Sequence, residues 1–93
     1  MKNAKLLELT DAGMEDGQHV YLEIRSGWTS TLEPMILEEF VIRPGKHDLD
    51  YMKFKAPKGD NVRRLRVMFY GMLWRCWNAQ PTMTQRLAAR WDV

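Results

Sequence analysis

Cysteine is almost missing from this sequence: of 93 residues, only Cys76 is a thiol. A single thiol excludes an internal disulfide framework and any cysteine-rich zinc site. Long apolar runs are missing too. The longest stretch made only of apolar residues and glycine is Val67 to Trp74, eight residues, against the ~20 that a membrane span requires. No basic-then-apolar leader opens the chain. The expectation is therefore a cytoplasmic protein with no secretory signal and no membrane partner. No glycine-rich loop runs into Lys-Ser or Lys-Thr, so no phosphate-cradling nucleotide site is indicated.

Catalytic patterns are equally scarce. The histidines are His19 and His47, both flanking expected strands and remote in sequence from Cys76, so no Cys–His dyad is indicated. Cys76 itself, among Leu73, Trp74 and Trp77, reads as a small core residue. Asp48 and Asp50 share one face of a strand and His47 points away, so that run reads as a solvated hairpin end, not a metal site. Glu38 and Glu39 are neighbours on a strand and should face opposite sides, which is wrong for a paired-carboxylate acid–base site. The expectation is no enzyme, no cofactor and no metal.

What is present is the composition of a folded domain: 45% hydrophobic and 28% charged residues. The length supports one domain over 1–93, since halves of ~45 residues rarely fold without disulfides or metal. The net charge of +2 conceals an asymmetry. Residues 1–50 hold five basic and ten acidic side chains, a net of −5; residues 51–93 hold nine and two, a net of +7. Such a split either neutralises itself across the fold or offers a basic surface to an acidic partner.

Lys5 to Thr10 is a short apolar run, read as a strand. The turn signals Asp11-Ala12-Gly13 and Asp16-Gly17 follow it, the latter suiting a hairpin into the next strand. Val20, Leu22 and Ile24 alternate with Tyr21, Glu23 and Arg25, a strand over 19–25 with one buried face. Residues 26–34 read as a polar loop carrying Trp28, and 35–43 as a strand. Arg43-Pro44-Gly45-Lys46 has the order of a type II turn. It should reverse the chain into a strand over 48–55, with Met52 and Phe54 on one side and Tyr51, Lys53 and Lys55 on the other.

Residues 61–79 contain no proline and place Val62, Leu65, Phe69, Met72, Leu73 and Cys76 at helical steps. With Asp60 as N-cap, the spacing predicts a long helix, although Arg64 to Tyr70 also alternates as a strand would and Gly71 costs ~1 kcal/mol in a helix interior. Thr82 and Gln85 form a capping box, so a second helix should follow Pro81. The expected architecture is α+β: a small antiparallel sheet of three or four strands followed by two C-terminal helices.

Function then rests on binding groups. Four tryptophans and seven methionines are many for this length, and Trp, Tyr, Met and Arg are enriched at interfaces. Core is the default for each ring, but the long helix is apolar on more than one face. The set of Trp28, Tyr70 and Trp74 with Arg63, Arg64 and Arg66 is therefore expected to meet a larger protein or ribonucleoprotein, or to form a homodimer seam. Lys53, Lys55 and Lys58 extend a basic segment through Arg66 that could contact nucleic acid directly, with Tyr51 or Tyr70 stacking on bases. Residues 78–82 could join two helices as a loose helix-turn-helix, although their turn holds proline instead of glycine. Small, motif-poor, Trp- and Met-rich domains are a kind that phages and mobile elements often carry against host defence or transcription complexes. The expectation is a non-enzymatic inhibitor or adaptor, such as an anti-CRISPR protein, with a direct nucleic-acid-binding module as the alternative.

Overall fold

The computed structural model describes residues 3–9, 14–41, 45 and 50–92. Its elements are β1 (His19–Ser26), β2 (Thr29–Val41), β3 (Tyr51–Lys55), β4 (Val62–Arg66), a 3-10 turn (Val67–Phe69), β5 (Trp74–Trp77) and α1 (Met83–Ala88). The five strands form one antiparallel sheet in the order β4-β3-β2-β1-β5.

The first four strands form a meander, and the fifth returns to pair with the first. The sheet rolls until its ends meet: the Trp74 indole N–H donates to the Arg66 carbonyl at 2.7 Å, joining β5 to β4. Phe54 on β3 packs edge-on against Trp74, with centroids 5.8 Å apart. Inside the roll lie Val20, Leu22, Met35, Leu37, Met52, Phe54, Trp74 and Cys76. Each comes from the apolar phase of an alternating strand.

The strand expected over 19–25 and the capping box match the structure, and of the strand expected over 48–55 the structure shows β3 over Tyr51–Lys55. The fold class does not match. Residues 61–79 form β4, the 3-10 turn and β5 instead of a helix, so only the short α1 is α-helical among the described residues. The alternation from Arg64 to Tyr70 is the signal that prevails. Gly71 has φ +82°, a left-handed conformation that no continuing helix accepts, and its N–H donates to the Trp74 carbonyl. The helical spacing of Leu65, Phe69 and Cys76 arises because two strands and a tight turn all face one core, whereas Val62 has the outward phase and is exposed. Two sheet edges, on β3 and β1, needed partners, and this β-branched and aromatic segment supplies both.

Smaller corrections follow the same logic. The polar loop of 26–34 is mostly strand, because Gly27-Trp28 turns β1 directly into β2. Gly27 has φ +63° and Trp28 does not have positive φ, as a type II′ turn requires. Pro34 lies inside β2, but the β3 ladder starts only at Ile36, so its missing N–H costs no pairing there. Residues 5–8 do not form a hairpin with β1. They lie along the free edge of β5, where the Leu7 N–H donates to Cys76 and the Asn78 N–H to Lys5. Glu38 sits in a register shift between Leu37 and Glu39, so strict alternation fails there and both glutamates are exposed. Gly45 has φ +75°, as the type II turn needs; Arg43, Pro44 and Lys46, like the turn at 11–13 and residues 47–49, lie outside the described residues.

Candidate functional site

The outer surface of the roll is covered over β1 and β5 by α1 and the segment after it. What holds that cover is a buried charge cluster. Glu23 on β1 and Arg75 on β5 are register partners, and both are 1% exposed. Glu23 accepts from Arg75 Nε at 2.7 Å, Trp77 Nε1 at 2.9 Å, Ser30 Oγ at 2.5 Å and Arg86 Nε at 3.2 Å. Burial pushes this carboxyl upward, but hydrogen bonds from Arg75, Ser30, Trp77 and Arg86 outweigh it and hold the group below its ordinary range.

Arg75 also carries α1. Its Nη1 and Nη2 donate to the carbonyls of Ala89 and Arg86 at 2.7 and 2.9 Å, the helix end where a cation is favoured. Its guanidinium lies 4.0 Å from the Trp91 ring centroid and 5.3 Å from that of Trp77, giving two cation–π contacts. At the other end of α1, Thr82 accepts from the Gln85 N–H and Gln85 returns the bond to the Thr82 N–H. A six-residue helix is marginal alone; this cluster makes it part of the domain.

The clamp leaves a groove of about 540 Å³ between α1 and the β1–β2 turn, lined by Trp28, Met83, Arg86, Leu87 and Trp91 among others. Trp28 is 104% exposed, Leu87 77% and Met83 59%. Met83 and Leu87 lie four apart on one face of α1. A second hollow, lined by Arg25, Gly27, Phe69, Met72 and Leu73, adjoins it, and Leu73 is exposed as well.

The sequence-predicted site residues scatter around this groove. Trp28 is outward, as expected. Trp74 is 2% exposed and belongs to the core. Tyr70 is half-buried, stacks edge-on against Trp74, and donates its hydroxyl hydrogen to the Leu7 carbonyl; burial, with Cys76 nearby, pushes its hydroxyl pKa up. Neither ring is presented to a partner.

The basic segment divides by register. Lys53 opposes Arg64, Tyr51 opposes Arg66 and Lys55 opposes Val62, so these cations share the outer surface. Lys58 is exposed in the following turn. Arg63 has the opposite phase and binds Glu33 through Nη2 at 2.7 Å and Nε at 3.3 Å. That carboxylate raises its pKa further. Lys53 meets Glu38 at 3.6 Å. No helix begins at residue 61, so Arg63, Arg64 and Arg66 lie on a strand and not on the first turns of the expected helix.

Sequence reasoning missed Met83, Arg86 and Leu87. The capping box located α1, but nothing local told which of its faces would close on Glu23. Among the described residues, no group of three His, Cys, Asp or Glu side chains is placed to hold a metal ion, and no helix is long and apolar enough to cross a membrane. Comparison of the chain with protein-family models, with curated proteins and with solved structures finds no match.

Proposed function

We propose that this chain is a non-enzymatic protein-docking module, an inhibitor or adaptor, that grips a larger protein or nucleoprotein through the groove under Trp28. The exposure of Trp28 carries this reading. An indole held in water at the tip of a two-residue turn, above exposed Met83 and Leu87, does nothing for the fold. Such rings, rimmed by arginine, dominate binding energy at interfaces. The buried Glu23–Arg75 pair supports it by holding both walls of the groove in place, which lowers the ordering cost on binding.

The test is a pull-down from nuclease-treated lysate with the intact chain and with Trp28→Ala. A partner kept by the former and lost by the latter, at equal thermal stability, supports docking. Equal retention by both chains, or binding that vanishes with nuclease, overturns it.

A second reading, direct nucleic-acid binding, is favoured by one observation. Lys53 and Arg64 are like charges directly opposed across β3 and β4, which disfavours the sheet; Glu38 offsets Lys53 from one side, and a bound anion would offset Arg64 as well. Lys55, Lys58 and Arg66 would join them. Each phosphate contacted contributes ~0.9 to the slope of log affinity against log salt for duplex DNA. Replacing Lys55 and Arg64 by alanine should flatten that slope by nearly two such steps. No mobility shift of DNA or RNA at low salt removes this reading.

A further inference from the structure

Two guanidinium groups, Arg75 and Arg86, share one buried carboxylate, Glu23. The cluster at the groove floor therefore carries one positive charge more than its own carboxylate balances. Arg75 is used up: Nε, Nη1 and Nη2 all donate within the protein. Arg86 is not. Its Nε donates to Glu23 and its Nη2 to the Ser30 carbonyl and hydroxyl, which leaves Nη1 without a protein partner. No unpartnered side-chain nitrogen or oxygen is sealed from solvent among the described residues, so Nη1 is not sealed; the Arg86 side chain, 14% exposed, lines the groove.

We infer that the groove recognises a carboxylate carried beside a large apolar side chain, on a peptide segment of the docking partner. This deepens the docking role proposed above and rests on it. Arg86 Nη1 would donate to the carboxylate, a charge-assisted bond in a half-enclosed site. Trp28 and Trp91 would take the apolar group between their rings, with Leu87 and Met83 closing the wall. The volume of about 540 Å³ lies within the ~300–1,000 Å³ of small-ligand sites, which pair apolar walls with a few polar groups. The surplus positive charge selects an anion over a neutral or cationic segment. Glu23 keeps the Arg86 guanidinium fixed, so little freedom is lost on binding.

The experiment compares two probes that differ only in charge, N-acetyl-L-tryptophan and N-acetyl-L-tryptophanamide. Each is titrated at pH 7 into the intact ¹⁵N-labelled chain, following the indole N–H signals of Trp28 and Trp91 and the Nε–H signal of Arg86. The acid should move all three, with a dissociation constant about tenfold lower than that of the amide. Equal affinity for acid and amide overturns carboxylate recognition while leaving the groove as an apolar docking surface. Absence of movement at all three signals with either probe overturns the inference and also counts against the groove as the docking site.

Discussion

Glu23 and Arg75 face each other across the β1–β5 ladder and meet at 2.7 Å, an ion pair buried on the outer side of the sheet under α1. It does not add to the apolar core; it attaches a helix to the back of a rolled sheet. Removing the carboxylate alone leaves two buried or half-buried guanidiniums without it. Glu23→Gln should therefore lower unfolding free energy by about 3–5 kcal/mol, read from urea denaturation. A loss below about 1 kcal/mol would mean that water reaches the cluster and screens it.

The same carboxyl sets an acid limit. Its folded pKa lies below the ordinary value, and that of the unfolded chain is about 4.3. The stabilisation is therefore complete above the unfolded value and fades as pH falls through the folded one. Urea midpoints of the parent chain and Glu23→Gln, measured from pH 7 to pH 2, should converge at the acid end. A gap that stays constant down to pH 2 contradicts this assignment.

Two tryptophans should respond in opposite ways. Trp74 is 2% exposed and contacts Phe54, Tyr70 and the Arg66 carbonyl. Trp74→Ala should cost about 3–5 kcal/mol. Trp28 is 104% exposed, and Trp28→Ala should shift stability by no more than ~0.5 kcal/mol in either direction. Thermal melting of both variants separates a core ring from a docking ring; a large drop for Trp28→Ala would place that indole against the fold.

Cys76 is completely buried, and burial pushes its thiol pKa up. The thiolate is the reactive form, so native protein at pH 8 should not react with Ellman's reagent over minutes. The thiol should titrate in full once urea unfolds the chain. Rapid native labelling would show that β5 opens readily from β1 and from residues 5–8.

Local signals were legible wherever one residue's chemistry sufficed. Period-two alternation announced β1 and β3, and the positive φ of Gly45 matches its place in the expected turn. Thr82 and Gln85 announced α1, because a capping box is closed by neighbours three residues apart. Of the expected binding residues, Trp28 alone was recognisable as an outward ring, since its hairpin tip has nothing to pack against.

Residues 61–79 show the limit. Their apolar spacing satisfies a helix and their alternation satisfies strands, and the choice depended on the edge of β3, one hairpin away, and on the edge of β1, far away in sequence. Sequence by itself determined the alternation of β1 and β3, the cap of α1, the lone thiol and the opposed charge of the two halves. Tertiary structure alone decided that Trp74 and Tyr70 turn inward, that Arg63 is taken by Glu33, and that Arg86 and Leu87 form a groove with Trp28. The reason is physical: alternation and caps are short-range, whereas burial and ion pairing are settled only when the sheet rolls and brings its two ends together.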